Sequence, residues 1–194
     1  NTLNKENLMK LGADHLADLI LELIQGSSGL QRRVRMELSA ASGPKDVASD
    51  IRKRFASLRR STSFVDWRKQ RALVKDLEGL IHMIKKSIAP SDANEAFELL
   101  WSFLLLAPSI QECTDDSNGS VGDIFRETVE LISKISADVS MDGKTLAERI
   151  LEAVVDAGYG EFDGIIPATA EVLGQDGLEH LKSITHEWAK TPPT

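Results

Sequence analysis

Apolar residues along this chain recur at intervals of three and four, and they rarely alternate with polar residues in the period-two pattern of a strand. Spacing of three and four places apolar side chains on one face of an α-helix. The pattern therefore predicts an all-α protein. We expect its helices to form stacked antiparallel pairs, like those of an α-solenoid of the HEAT or TPR type, or else an irregular helical bundle.

One helix is predicted to form the centre of the structure. Residues 97–107 are apolar on nearly every side and carry a single charge, at Glu98. A helix of this kind has to be buried all round, in a protein core or in lipid. Because a membrane span needs about 20 apolar residues, we interpret this shorter segment as the central helix of a globular domain.

Three amphipathic helices are predicted to pack around that centre. They cover residues 45–60, a long segment that ends near residue 88, and residues 120–139. In each, the apolar residues share one face with a 3.6-residue period. The residues predicted to face inward are Val47, Ile51, Phe55 and Leu58; Leu73, Leu77, Leu80, Ile81, Ile84 and Ile88; and Val121, Ile124, Phe125, Val129, Ile132 and Ile135.

The same pattern predicts buried faces nearer the two ends of the chain. It covers residues 14–25, a helix of about a dozen residues that follows Gly26, and residues 144–157 and 175–190. The residues expected to face inward are Leu16, Leu19, Ile20, Leu23 and Ile24; Leu30, Val34 and Leu38; Leu146, Ile150, Leu151 and Val154; and Leu178, Leu181, Ile184 and Trp188.

Charge is distributed unevenly between the two halves of the chain. Residues 1–97 contain 17 Lys and Arg against 12 Asp and Glu, whereas residues 98–194 contain 6 against 18. The most loop-like stretch, residues 114–120, lies near this boundary. We therefore predict a helical subdomain over residues 1–113, with a basic face and the central helix, and an acidic helical subdomain over residues 120–190. One continuous domain with a long internal connection is the alternative.

A short sequence pattern occurs near both ends of the chain. Residues 11–19 and 173–181 share Leu-Gly-x-Asp-x-Leu-x-x-Leu, in which Gly12 and Gly174 would allow a corner between two helices. The following aspartate would suit the positive end of the next helix. Repeated helical units and chance similarity of a common turn both explain the pattern.

Composition indicates a reducing compartment. Cys113 is the single cysteine, so an intrachain disulfide cannot form. No apolar run reaches membrane-spanning length and no leader peptide is evident, so we expect a cytoplasmic location without membrane contact. The chain begins with Asn1 and ends in Thr-Pro-Pro-Thr, and we expect it to be part of a longer protein.

Three segments together resemble a family of uncharacterised bacterial proteins. They are residues 8–17 (LMKLGADHLA), residues 30–35 (LQRRVR) and residues 158–167 (GYGEFDGIIP). The resemblance covers most of the chain and implies an all-helical, repeat-like bacterial cytosolic protein. Because it depends on turn and packing residues, it implies no functional residues.

The basic charge is concentrated in residues 26–89, which contain 15 Lys and Arg against 6 Asp and Glu. Residues three, four or seven apart share a helix face, and if neighbouring helices align these faces they form one positive surface. Such a surface would bind a protein partner, displace counterions from nucleic acid, dock on the acidic half or simply be solvated. The predicted partner-binding face consists of Arg52, Lys53, Arg59, Arg60, Arg68, Arg71 and Lys75.

No motif in the chain predicts catalysis, a cofactor or a metal. His186-Glu187 begins a His-Glu-x-x-His zinc motif, but position 190 is lysine, and the pairing of His15 with Asp18 is too small a donor set. We therefore expect a non-enzymatic helical-repeat scaffold that binds another protein. Nucleic-acid binding through the basic helices is the alternative, and the sequence does not indicate an oligomeric state.

Overall fold

The structure, a computed structural model, describes residues 2–191, except for the side chains of residues 67 and 68. Within this part of the chain the regular structure is helical, and the all-α prediction is confirmed. The α-helices are α1 (Lys5–Met9), α2 (Ala13–Leu23), α3 (Ser28–Ser42), α4 (Pro44–Arg60), α5 (Trp67–Met83), α6 (Ala93–Leu104), α7 (Ala107–Gln111), α8 (Ser120–Ile135), α9 (Gly143–Asp156), α10 (Ile165–Ala168) and α11 (Ala170–Ala189). A π-helical segment, Ile84–Ile88, extends α5, and a 3₁₀ turn, Ser136–Asp138, extends α8.

Helix α6 lies at the centre of the fold, but it ends at Leu104 rather than continuing to residue 107, and Leu105 is 47% exposed. The carboxylate of Asp92 accepts a hydrogen bond from the backbone N–H of Glu95 at 2.9 Å and so caps the helix. Inside α6, Phe97 stacks on Trp101 with ring centroids 5.7 Å apart. The buried residues of α6 are Ala96, Phe97, Leu99, Leu100, Trp101, Phe103 and Leu104.

Aromatic contacts connect α6 to the helices on either side of it. Phe103 lies 5.9 Å from Phe55 of α4 and 5.0 Å from Phe125 of α8, measured between ring centroids. The buried apolar side chains form one cluster that extends from Met36 of α3 to Leu181 of α11. The cluster thus includes residues on both sides of the loop at residues 114–120, and the division into two subdomains stays a prediction.

That loop is fixed to the beginning of α5 by polar contacts. The backbone N–H of Val65 donates to the carbonyl of Cys113 at 2.7 Å, and the buried amide of Gln70 donates to Asn118 at 3.2 Å. The carboxylate of Asp116 accepts hydrogen bonds from the backbone N–H groups of Val121 and Gly122, both at 2.8 Å. It therefore satisfies two of the free donors at the start of α8.

The predicted inward faces are correct in the centre of the chain and wrong at the N-terminal end. All the predicted residues of α4 and α8 are buried, and in α5 and its extension only Leu73 is less than fully buried. Helix α2, by contrast, buries no residue. In α3 the buried apolar residue is Met36, while Leu30 and Leu38 are exposed. Near the C-terminus, Val154, Leu178 and Trp188 are also exposed.

Helices α9 and α11 pack side by side through two glycines. A Cβ atom on Gly177 would lie 2.7 Å from the carbonyl oxygen of Gly143, and a Cβ on Gly143 would overlap the carbonyl of Leu173. Further along, His180 lies 3.1 Å from Glu148. Because residue numbers rise together in the two helices, this pair is parallel. Neighbours α3 and α4 are antiparallel, since the Ser39 hydroxyl donates to Asp50 near the turn between them while Arg32 and Arg54 both approach Asp76.

The two glycines of the repeated sequence pattern have similar backbone conformations. Gly12 has φ 81° and ψ 162°, and Gly174, inside a kink of α11, has φ 57° and ψ −172°. Such positive φ values favour glycine because a Cβ atom would be strained. The predicted corner is therefore present at both positions. Among the described residues, no helix is both long enough and apolar enough to cross a membrane.

Candidate partner-binding surface

A cationic cleft of about 350 Å³ lies between α3 and α4. We call it the α3–α4 cleft. Its walls contain four basic side chains, one carboxylate, a hydroxyl and a methionine. The residues are Arg32, Arg35 and Met36 from α3 and Asp50, Lys53, Arg54 and Ser57 from α4.

A buried carboxylate holds two of the arginines in place. Asp76 of α5 has a side chain only 6% exposed. Its Oδ2 accepts hydrogen bonds from Nε of Arg54 at 2.8 Å and from Nη2 at 2.6 Å. Nε of Arg32 lies 3.5 Å from the other oxygen, Oδ1, as an ionic contact without hydrogen-bond geometry. Asp76 therefore links α3, α4 and α5 and restricts the positions of two cleft arginines.

The wall of the cleft contains a second carboxylate, Asp50, which is held by hydrogen bonds. The Asp50 carboxylate accepts a hydrogen bond from the hydroxyl of Ser39 at 2.6 Å and another from the ammonium of Lys53 at 2.9 Å. The hydrogen bond from Ser39, and then that from Lys53, lower the pKa of Asp50 below its ordinary value. Asp50 is thus ionised at neutral pH and offsets part of the positive charge of Lys53.

Arg35 is the cleft cation with the least compensation. Its side chain is exposed, and it forms no salt bridge or hydrogen bond with the residues that the structure describes. The lining residues comprise four cations against one carboxylate, with Asp76 behind them. The cleft is therefore positive, and Arg35 is the group most readily available to an anionic ligand.

The structure distributes the predicted face over several surfaces. Arg52 points to the central helix, where its Nη1 lies 2.5 Å from Oε1 of Glu95, and this hydrogen bond raises the pKa of the Arg52 guanidinium. Lys53 lines the α3–α4 cleft. The Arg68 side chain lies outside the described residues. The remaining four are exposed and form no salt bridge within the described part of the chain: Arg59, Arg60, Arg71 and Lys75.

The predicted face therefore omitted three of the four basic residues that line the cleft. Arg32, Arg35 and Arg54 come together with Lys53 only because α3 and α4 pack antiparallel. One sequence signal could have indicated their anchor. Asp76 lies three residues after Leu73 and four before Leu80, so it is a charged residue within the apolar face of α5. A charge at such a position needs a partner of opposite sign.

A second ion-pair system connects α9 to the central helix. The guanidinium of Arg149 donates to both carboxylate oxygens of Glu98, at 2.7 and 2.9 Å. It also lies over the ring of Trp101, 4.9 Å from the ring centroid. Because this arginine is satisfied by a bidentate pair and an aromatic ring, its role is to hold α9 on α6.

Within residues 2–191 the structure contains no group of three or more His, Cys, Asp and Glu side chains arranged to hold a metal ion. His180 contacts Glu148, and the Cys113 thiol lies 3.6 Å from the carbonyl of Ser61. The first contact joins α11 to α9, and the second joins the Cys113 segment to the end of α4.

The fold and the cleft together define an all-helical protein with a cationic interhelical groove. A family model described as a family of unknown function (DUF6880) matches residues 1–194, and the chain belongs to this family. The predicted relationship to an uncharacterised, all-helical family is thereby confirmed. No curated protein and no solved structure matches the chain.

Proposed function

We propose that this chain is a non-enzymatic interaction domain that binds an acidic segment of a partner protein in the α3–α4 cleft. The observation that carries the proposal is the set of four basic side chains at one groove, two of them held by the buried Asp76. Arginines positioned before binding lose little conformational freedom when a carboxylate arrives. The proposed setting is the bacterial cytoplasm, with the helices acting as a repeat-like scaffold.

Electrostatic complementarity would supply the specificity of this interaction. Arg35 has no anionic partner among the described residues, and an acidic peptide would provide one. Met36 and the stems of the arginines offer apolar contact on the same walls. An acidic segment with an apolar residue beside its carboxylates is therefore the expected ligand.

The test is fluorescence anisotropy with a labelled peptide in which glutamate residues alternate with leucine-containing segments. Binding of the peptide is measured at low and at near-physiological salt. Arg35→Glu with Lys53→Gln removes cleft charge while leaving the Asp76 anchor intact, and glutamine at position 53 avoids a second carboxylate beside Asp50. Lys134→Glu with Lys182→Gln is the matched control, since it makes the same change in net charge and both lysines are exposed outside the cleft. We expect the dissociation constant to rise at least about tenfold in the cleft variant and much less in the control.

Equal weakening in the two variants would show a general charge effect and overturn the proposal. So would an absence of peptide binding at low salt. Arg52 is left unchanged because its pairing with Glu95 belongs to the contact between α4 and α6.

Nucleic-acid binding is the second candidate function, favoured by the unpaired cations at the end of α4 and on α5. The exposed Phe64 lies in the segment between these helices and offers a stacking surface. The same titration with labelled single-stranded and double-stranded DNA and RNA tests it. Affinity that falls steeply with salt and is lost in the fourfold variant Arg59→Glu, Arg60→Glu, Arg71→Glu and Lys75→Glu, but not in the cleft variant, would support nucleic acid over an acidic peptide.

A further inference from the structure

Two guanidinium groups of the α3–α4 cleft share a single carboxylate. Oδ2 of Asp76 accepts both hydrogen bonds from Arg54, and Oδ1 lies 3.5 Å from Nε of Arg32. Because both oxygens belong to one carboxyl group, the two arginines are held close together and one of their two positive charges has no counterion there. Their side chains are 20% and 34% exposed, so water and salt screen this charge incompletely.

Arg35 adds a second uncompensated charge on the same wall. It lies three residues after Arg32 on the same side of α3, and it forms no ion pair with the described residues. Lys53 adds none, because its ammonium donates to Asp50 at 2.9 Å. Four cations therefore face two carboxylates, Asp50 in the wall and Asp76 behind it, which leaves two positive charges.

The arginines of the cleft also have N–H groups free for a ligand. A guanidinium has five N–H donors in a planar fork. Arg54 uses Nε and Nη2 on Asp76, and its Nη1 donates to the hydroxyl of Ser57 at 3.3 Å. The terminal nitrogens of Arg32, like those of Arg35, form no hydrogen bond within the described part of the chain. Two free guanidinium forks therefore lie on one turn of α3.

A phosphate monoester matches this pattern of charge and donors better than other anions do. At pH 7 a phosphorylated serine or threonine carries a charge of about −1.5 to −2 and three acceptor oxygens. A carboxylate has one charge and two oxygens, and each phosphate of a nucleic-acid strand is a diester with one charge. Each arginine fork can bind two phosphate oxygens at once. The two free charges and two free forks of the cleft thus correspond to one phosphoryl dianion.

We infer that the α3–α4 cleft binds a phosphorylated serine or threonine within the acidic segment of its partner, which deepens the proposed function and rests on it. Arg32 and Arg35 bind the phosphate oxygens. Asp76 holds Arg32 and Arg54 in place before binding, so little conformational freedom is lost when the phosphate arrives. The cleft volume of about 350 Å³ accommodates such a side chain, and Met36 contacts the apolar residues beside it.

Three labelled peptides that differ at one position provide the first test. They have the alternating sequence used for the proposed function, with phosphoserine, glutamate or serine at the central position. Fluorescence anisotropy at near-physiological salt gives their dissociation constants for the wild-type chain. We expect the phosphoserine peptide to bind at least about tenfold more tightly than the glutamate peptide. Equal or tighter binding of the glutamate peptide would overturn the inference and leave the proposed function standing, whereas no binding of any peptide even at low salt would overturn both.

Two substitutions show which groups recognise the phosphate. Arg32→Lys keeps the positive charge but removes the fork, and Arg35→Gln removes one charge at an exposed position. Each should reduce the preference for phosphoserine over glutamate to less than about threefold. Circular dichroism checks folding, and the exposed Arg35 variant remains informative if Arg32→Lys, which changes a contact to the buried Asp76, loses stability.

Arg33→Lys and Lys134→Gln are the matched controls. Arg33 is adjacent to Arg32 in α3 but pairs with Glu37 outside the cleft, and Lys134 is exposed on α8. Both controls should keep the wild-type preference for phosphoserine. If the two cleft variants keep it as well, the phosphate is recognised elsewhere and the inference is wrong.

Competition with inorganic phosphate distinguishes a phosphorylated segment from a free anion. Only the peptide also contacts Met36 and the stems of the arginines. We therefore expect inorganic phosphate to displace the labelled phosphoserine peptide only at concentrations at least about a hundredfold above those of unlabelled peptide. Displacement at equal concentrations would show a site for free phosphate and would overturn the assignment to a phosphorylated segment.

Discussion

At the scale of single residues, the most informative side chain is Asp76. It interrupts the apolar face of α5, yet it is almost completely buried because the guanidinium groups of Arg54 and Arg32 approach it. This pairing also explains the orientation of α3. Arg32 turns inward to the carboxylate and Arg33 lies against Gly79, so Leu30 and Leu38 on the other side of the helix face outward.

Replacing Asp76 with asparagine should lower the free energy of unfolding by about 1.5–3 kcal/mol, because hydrogen bonds to a charged group are lost and two arginines keep their positive charge without a counterion. Urea unfolding followed by circular dichroism measures the change. Glu187→Gln makes the same chemical change at an exposed pair with Lys190 and should alter stability by less than about 0.5 kcal/mol. Equal effects would contradict a structural role of Asp76.

Ser39→Ala should raise the pKa of Asp50 towards its ordinary value, because the Ser39 hydroxyl is the largest cause of the lowering. A lowered pKa in the folded state contributes stability above the pKa of the unfolded chain, and this contribution is lost as the pH falls through the folded pKa. The variant should therefore lose less stability on acidification. Carboxyl NMR titration measures the pKa, and Asp142, whose pKa is lowered by Thr145, is the internal control. An unshifted Asp50 would count against this account.

At the scale of helices, the local signals give both ends of α4 and of α9 to within one residue. Ser27 caps α3 and Asp92 caps α6, and the side chain of each accepts a hydrogen bond from a backbone N–H of the first turn. How helices pair is decided by other features. The crossing of α9 and α11 depends on Gly143 and Gly177, which let the two backbones approach each other without side chains between them.

Gly177→Ala tests that crossing. In an ordinary exposed helix the change would stabilise by up to about 1 kcal/mol, but here the new methyl group would meet the backbone of Gly143. We expect a net loss of about 1–3 kcal/mol from overpacking. Thermal or urea unfolding gives the value. Gly158→Ala, where no atom lies within 4 Å of the new Cβ, should be close to neutral, and a neutral Gly177→Ala would mean that the helices separate freely.

At the scale of the whole molecule, the central helix receives ion pairs from the helices on two sides of it. Arg52 of α4 pairs with Glu95, and Arg149 of α9 pairs with Glu98, so α6 supplies carboxylates to helices on two sides. The central helix also contacts α8, where Phe103 stacks on Phe125. Each of these two ion pairs lies within one half of the chain, and the apolar cluster is what spans both halves.

Phe125→Ala measures whether the halves unfold together. Removing this buried ring should lower stability by about 3–5 kcal/mol. If residues 1–113 and 120–190 share one cooperative core, circular dichroism and tryptophan fluorescence should report a single transition that shifts as a whole. Two transitions, of which the substitution moves one, would instead support the predicted pair of subdomains. Val155→Ala, at an exposed site on α9, is the control and should change little.

The sequence by itself determined the all-α class, the central helix and the inward faces of α4, α5 and α8. These follow from a strong 3.6-residue period, in which apolar burial and helix geometry agree. It also determined the corners at Gly12 and Gly174, because positive φ angles favour glycine.

Only the tertiary structure decided which helices meet and which apolar faces are left uncovered. Periodicity shows that a helix has an apolar side, but covering that side depends on contacts with residues far away in the sequence. Asp76 with Arg54 is such a contact, as is Gly143 with Gly177. The α3–α4 cleft also depends on such distant contacts, because its cations come from α3 and α4 and two of them are held by Asp76 of α5.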